Sequence, residues 1–291
     1  MTSIIKVQNI QYTDGDAALT IADGGGVTAA STLTSTGAFT SPGIDDNANA
    51  LAMTIDSAEN IGIGTTPKSW HGNLTAIDLG DQGHLGHYDG GDTQIGTNMY
   101  HDGSWKAKEN GTSSNYAIGA NGYHTWFGNP SANAGASISL TTNMQLTIDG
   151  ELLKPKHPCF RASGLGGAWS VGINDVVHFA NDGNGFNFDQ GNNYNTSSNG
   201  FFAPVAGKYQ FYAQALIQNG TNQKRMKLRH NGTDFAVSNE YGYNSSSEIT
   251  VVVTGIVNCA ANDKIDVHLN TQGGNYYNHH PYTFFQGFLI G

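Results

Sequence analysis

Apolar and polar residues alternate with a strand's period through the last third of the chain. Gly207–Ile217 is aromatic-rich with partial alternation, residues 248–258 are a run of Val, Ile and Thr, and Lys264-Ile265-Asp266-Val267-His268-Leu269 alternates strictly. A period of two sends successive side chains to opposite faces, and β-branched and aromatic residues fill a pleated, half-buried surface, so each run predicts a strand. Asn231-Gly232 falls between two such runs and predicts a hairpin, because a type I′ turn needs positive φ at both central residues. Strands at this spacing predict a sandwich or barrel, with the aromatics as its core rather than as a site.

Upstream, Met53-Thr54-Ile55-Asp56-Ser57-Ala58-Glu59-Asn60-Ile61-Gly62-Ile63 reads as a strand-then-turn unit, and related patterns recur at Leu19-Thr20-Ile21 and Leu146-Thr147-Ile148-Asp149. One short strand cannot bury both faces, whereas copies from three chains wrapped about an axis can. The alternative is unrelated hairpins that share common β residues. Between the copies, Trp70, Trp105 and Trp126 stand isolated among glycines, histidines and tyrosines, which predicts short strands and long loops. These tryptophans either fill a core, the preferred reading, or stack on sugar rings. Residues 1–44 pass from a short apolar strand into Gly24-Gly25-Gly26 and Ser/Thr/Ala-rich sequence with little to bury, to be ordered by partners. The expected organisation is an N-terminal anchor over 1–44, a β-rich middle over 45–155 and a head over 156–291.

Composition narrows the function. Charged residues are 12% of the chain, there are 39 glycines, and the formal net charge is −10. Thirteen Lys and Arg spread along the chain leave no basic footprint for phosphates, so nucleic acid is not an expected partner. No apolar run approaches the roughly 20 residues of a membrane span, and Met1–Ile10 lacks the apolar stretch of a secretory signal. Together these point to synthesis in a host cytoplasm and work outside the cell, as for a virion component. Cys159 and Cys259, the two cysteines, are expected as buried free thiols in that reducing compartment, with one intrachain pair as the alternative.

Catalytic signatures are missing from the sequence. There is no Gly-x-Ser-x-Gly elbow and no Cys-x-x-Cys or His-Glu-x-x-His zinc spacing. A glycan-cleaving carboxylate pair cannot be assigned from sequence, and the chain lacks the regular rungs of a long β-helix. The expectation is a protein that is not an enzyme and carries no cofactor. Asp175, Asp182 and Asp189 lie among asparagines and offer calcium its hard oxygen ligands. The same residues form ordinary turns, and turn chemistry is the preferred reading.

Asp189-x4-Tyr194-x6-Phe201-x5-Gly207-x-Tyr209-x-Phe211, with Pro158-Cys159-Phe160-Arg161-Ala162 before it and Phe284-Phe285-Gln286-Gly287-Phe288-Leu289-Ile290 after it, resembles the globular head of complement component 1q. Gly183 and Ala213 depart from that pattern, which wants aromatics there. The resemblance implies a ten-strand jelly roll related to the tumour necrosis factor domain, a trimer, and ligand binding at the surface. The segment Met53–Pro67 resembles the β-structured repeat of phage fibres and trimeric adhesin-like shafts. Thr2–Gln11 resembles the start of tail-fibre and other virion structural proteins of marine bacteriophages, which implies Ile4, Ile5, Val7 and Ile10 as the virion anchor.

The family's chain ends lie at the base of the roll, so antiparallel strands counted back from the C-terminus alternate between tip and base. Residues 219–223, 239–247 and 271–281 then cluster at the tip. They carry Asn219, Asn222, Tyr241, Tyr243, Asn244, Asn275, Tyr276, Tyr277, Asn278, His279 and His280, a mixture of rigid aromatics and adaptable amides like that of antibody loops. Flat aromatic faces beside amides suit carbohydrate. The sequence thus reads as an all-β homotrimeric tail fibre or receptor-binding protein of a virion, held by tail or portal-proximal proteins and touching a host surface receptor through the tip. The alternatives are a decorating, collar or head-fibre protein without a receptor and, further off, a glycan depolymerase or secreted lectin.

Overall fold

A computed structural model describes residues 52–170, 175–180, 186–218, 222–242, 248–270 and 275–291, together with five short strands between Asn9 and Asp45. For residues 165–170, 222, 242, 275 and 277–280 only the backbone is described. Every named element is a strand. Of the expected anchor, Ile10 lies in strand Asn9–Gln11 opposite Leu19, while Ile4, Ile5 and Val7 lie outside the described residues.

Residues 53–153 build one nine-stranded sheet. Its two edges are copies of the recurring unit. Met53–Ile55 turns back into Ile61–Ile63 at one edge, and Thr141–Leu146 turns into Leu152–Leu153 at the other. In the first turn the Asp56 carboxylate accepts the backbone N–H of Ala58 at 2.8 Å and of Asn60 at 2.9 Å, local bonds that favour a turn over a continued strand. Between the edges all pairings are antiparallel except Ile61–Ile63 against Leu74–Leu79.

The registers sort this sheet into two unlike faces. One row of directly opposed residues crosses eight strands as Ile55, Ile61, Ile77, Leu85, Ile95, Tyr116, Trp126 and Met144. It is flanked by Met53, Ile63, Leu79, Gly83, Thr97 and Ser114 on one side and by Thr75, His87, Thr93, Ile118, His124, Leu146 and Leu152 on the other. On the opposite face Asp78, His84, Gln94, Asn115 and Thr125 are buried beside Leu74, Ala76 and Ala117. Covering that mixed face are Trp70, Met99, Ala107, Lys108 and Ile138, all buried. Trp105 packs partly buried against both small clusters; Trp70 and Trp105 therefore follow the core reading, and Trp126 belongs to the apolar row.

At the centre of the covered face, Lys108 Nζ meets Asp78 Oδ1 at 2.6 Å with both side chains 1% exposed. Asp78 Oδ2 also accepts the Lys68 N–H at 2.7 Å and the Trp70 indole N–H at 3.2 Å, and Lys108 donates to the Gly83 carbonyl at 2.8 Å. Beside them His84 is held to a pKa of about 4, first by burial and then by the Lys108 charge. The unfolded chain's imidazole titrates near 6.5, so acid favours unfolding: this contribution is complete above about pH 6.5 and disappears as pH falls toward 4, a loss of ~3 kcal/mol. Urea unfolding followed by tryptophan fluorescence should therefore give a markedly lower midpoint near pH 4.5 than near pH 7, and His84→Gln should flatten that dependence.

Residues 159–289 form two packed layers. One sheet has five strands in the order Phe188–Gln190, Cys159–Ser170, Asn275–Leu289, Gly207–Gln218, Ile249–Cys259. The other runs Tyr194–Asn195, Gly200–Phe202, Lys264–Asn270, Asn222–His230, Thr233–Gly242. Asp175–Val176 shares an edge of Lys264–Asn270 with Gly200–Phe202, so each layer is five strands wide. This is the two-layer jelly roll the sequence implied.

Alternation decides what each face holds. Tyr209, Phe211, Ala213, Ala215 and Ile217 point inward at 0% exposure, opposite Met226, Leu228, Ile265, Val267 and Leu269 of the second sheet, each buried in the same cluster. Phe160 centres an aromatic cluster, with ring centroids 4.8 Å from Phe201, 4.9 Å from Phe285 and 5.4 Å from Tyr194. The Asn231-Gly232 hairpin has φ of 49° and 86° at its central residues, the positive pair a type I′ turn requires. Cys159 and Cys259 are free thiols, half-buried and buried.

Candidate binding surface

Pairing gathers several strand ends of the jelly roll at one end. Gln218 lies opposite Asn275, Ile217 opposite Ile249, Asn222 opposite Gly242, and Ser170 opposite Asn275. The strand ends Ser170, Gln218, Asn222, Gly242, Ile249 and Asn275 therefore lie at the end of the roll away from Pro158 and Gly291. The sequence expected all of these ends at the tip except Ser170, which is an addition. That one was missed because Asp175–Val176 is only two residues long and leaves no periodicity.

The expected tip residues divide. Tyr241 ends strand Thr233–Gly242 at 62% exposure, and its hydroxyl accepts a hydrogen bond from Gln223 Nε2 at 3.0 Å. Asn219, Tyr243 and Asn244 lie outside the described residues. Asn222 and Asn275 open strands rather than lying in loops. Tyr276, expected in a tip loop, is a correction: it is a strand residue opposite Ile217, 2% exposed, and its hydroxyl accepts the His178 N–H at 3.4 Å. The reason is length. The terminal strand begins at Asn275 rather than near residue 282, so the connection before it is 271–274 and not 271–281.

Tyr277, Asn278, His279 and His280 follow in the same strand, which is interrupted. Leu216 lies opposite Tyr277 and Gln214 opposite Phe284, so residues 278–283 oppose the single residue Ala215. Such an excess on one strand is a bulge that locally re-aims the chain. Thr283 Oγ1 accepts the Leu216 N–H at 3.3 Å, and Gln214 Nε2 donates to the Tyr282 carbonyl at 3.2 Å, holding the excursion from beneath. The register shifts across this interruption, so the inward position passes from even-numbered Tyr276 to odd-numbered Phe285, and a reading by alternation fails there.

The outer faces of the two sheets differ in chemistry. On the five-stranded sheet Phe188, Phe288 and Ile256 are 51%, 44% and 61% exposed. Tyr212 stacks on Phe284 at 5.5 Å, and the Arg161 guanidinium lies 4.3 Å from the Phe284 centroid. Gln190, Gln210, Gln214, Gln286, Thr250, Val252, Thr254 and Asn258 share this face, and Arg161 and Lys208 are its basic members. The other sheet presents charge. Lys227 and Arg229 reach Asp234 at 2.7 and 3.5 Å, Lys264 and His268 reach Asp266 at 2.9 and 3.4 Å, and a groove opens among Lys227, Arg229, Asp234 and His268. Sequence reasoning passed over this charged face because each charge occupies an ordinary outward strand position. It also passed over Lys224, which shares the inward parity of Met226 and Leu228 and is wholly buried.

Groups able to hold a metal are limited among the described residues. His230, Cys259 and Asp263 bring ligand atoms within 4.8 Å of one another at the base. The Asp263 carboxylate already accepts bonds from Asn231, His230 and the Ala260 N–H, which hold its pKa down to about 2. Burial pushes the Cys259 thiol up to about 11, so it is protonated at neutral pH and a poor ligand. Of the calcium candidates, Asp189 accepts the Asn193 and Tyr194 N–H groups, each at 2.9 Å, as a turn former does. Asp175 lies exposed in the other sheet, and Asp182 is outside the described residues.

Two five-strand layers with a shared aromatic core define a β-sandwich whose chemistry lies on its surfaces. Residues 168–290 match the family described as the C1q domain, and the C-terminal part of the chain is a C1q jelly roll. Among solved structures the chain is similar to the globular domain of zebrafish complement 1qA protein, at 16% identity over 46% of this chain and 98% of that one, with a TM-score of 0.37. No curated protein matches the chain.

Proposed function

We propose that this chain is a homotrimeric, non-enzymatic attachment protein of a bacteriophage virion. In this reading the N-terminal residues dock on tail proteins, and the jelly-roll head meets a receptor on the host surface. The observation that carries the reading is the asymmetry of the head: one sheet's outer face is aromatic, with Phe188, Phe288 and Ile256 open to solvent and two basic residues, Arg161 and Lys208, while the other is laced with ion pairs. An exposed, largely apolar face favours association with copies of itself, which leaves the ion-paired face and the tip for recognition. Three weak tips on one trimer raise avidity through effective concentration, without a new contact. The resemblance of Thr2–Gln11 to phage structural proteins supports the virion setting.

The reading is tested with the purified full chain. Sedimentation should report a trimer, and labelled trimer should bind host cells and retain selected sugars on a glycan array. Tyr241→Ala with Gln223→Ala, two tip side chains that are not core, should lower cell binding at least tenfold with unchanged melting. Tyr276→Ala is unsuitable, since burial makes it a stability variant. Binding unaffected by the double change removes the tip as the contact; heads packed against the capsid in electron micrographs make the chain a decoration.

A further inference from the structure

One face of the nine-stranded sheet has no cover among the described residues. On it Ile55 and Ile95 are 61% and 59% exposed, and Leu79, Leu85 and Ile118 between 40% and 49%. Single exposed aliphatics are ordinary, whereas a contiguous patch beyond a few hundred Å² marks an interaction surface. The inversion is the telling point. The covered face holds the Lys108–Asp78 ion pair, His84, Gln94 and Asn115 beside the buried apolar side chains of Ala76, Ala117 and Leu74, while the open face holds the large aliphatic row. A sheet with one wet side puts its polar residues there, so this distribution is stable only if the open face is dry as well.

The geometry points to further copies of this chain as the cover, three sheets meeting with their aliphatic rows facing inward. This deepens the trimer reading above and rests on it for the number of copies. Charge selects the occupant. The row and its two flanking rows contain no Asp, Glu, Lys or Arg, although the chain has 23 acidic and 13 basic residues. Identical faces therefore meet without like-charge repulsion despite a net charge of −10 per chain, and a partner recruited by charge finds no counter-charge. Size agrees. Eight strands about 4.8 Å apart and three rows about 7 Å apart span roughly 34 by 14 Å between Cα atoms; with side-chain width at the margins this is of the order of the ~800 Å² each partner buries in a standard interface.

The test places a thiol in the middle of the row. Ile95→Cys and, as an exposed control on a loop of the covered side, Asn133→Cys are made in the full chain. Labelling by a water-soluble maleimide is followed at each cysteine by mass spectrometry, and the assembly state by sedimentation. Ile95→Cys should react about a hundredfold more slowly than Asn133→Cys in a trimeric species, and Ile95→Lys should weaken the trimer or open it to that labelling. Equal labelling rates in a trimer overturn the inference and leave the head-driven trimer standing. Rapid labelling in a monomer overturns both readings. Slow labelling in a monomer overturns the inference in favour of cover by another part of the same chain.

Discussion

Lys108→Met is expected to destabilise the middle sheet by about 3–5 kcal/mol, the cost of removing one partner from a buried ion pair. Asp78 would keep the Lys68 and Trp70 N–H donors but lose the cation that neutralises it, in a site where both side chains are 1% exposed. Replacing both members by apolar residues, as Asp78→Leu with Lys108→Met, should recover more than half of the loss, because the desolvation penalty disappears with the charges. Denaturant unfolding followed by tryptophan fluorescence reads both changes, since Trp70 donates to Asp78 and lies 5.7 Å from Lys108 Nζ. A single variant no more than about 1 kcal/mol below the parent would show that water reaches the pair and screens it.

Phe160→Ala should cost about 3–5 kcal/mol and act on the head, where the ring is wholly buried among Phe201, Phe285, Tyr194 and Phe211. The neighbours come from four strands in both layers, so collapse into the cavity would require both sheets to move, which favours the upper part of that range. Phe288→Ala is the contrast. It belongs to the same sheet but points outward at 44% exposure, so it should leave denaturant unfolding nearly unchanged and shift the monomer–trimer equilibrium instead. Calorimetry of the two variants separates these effects, and a large loss of unfolding enthalpy in Phe288→Ala would contradict the proposed role of that face.

What the sequence made legible follows from where period-two patterning is strong. Gly207–Gln218, Ile249–Cys259 and Lys264–Asn270 were readable because one face of each is packed and the other wet, and Asn231-Gly232 because its backbone chemistry is local. Tyr276 was misplaced because its strand begins with Asn-Tyr-Tyr-Asn-His-His, a composition shared by loops, and because the bulge at 278–283 breaks the alternation. The nine-stranded sheet was legible only as β-rich. Its covered face is mixed and held by Lys108, Asp78 and Asn60, the last accepting the Ala76 N–H at 3.1 Å, so contacts distant in sequence decide its inside and outside. The tip was readable in its connectivity alone, since antiparallel order fixes which ends coincide without fixing where side chains point.

The margins of the nine-stranded sheet carry a consequence for growth. Met53–Ile55 and Leu152–Leu153, its outermost strands, are three and two residues long. An unpaired rim of backbone donors and acceptors recruits further chains in proportion to its length, and abbreviated rims are a common natural brake on runaway fibril formation. A molecule with so much aliphatic surface is thereby steered toward stacking broadside into a closed particle of fixed size and away from endless edge-on polymerisation.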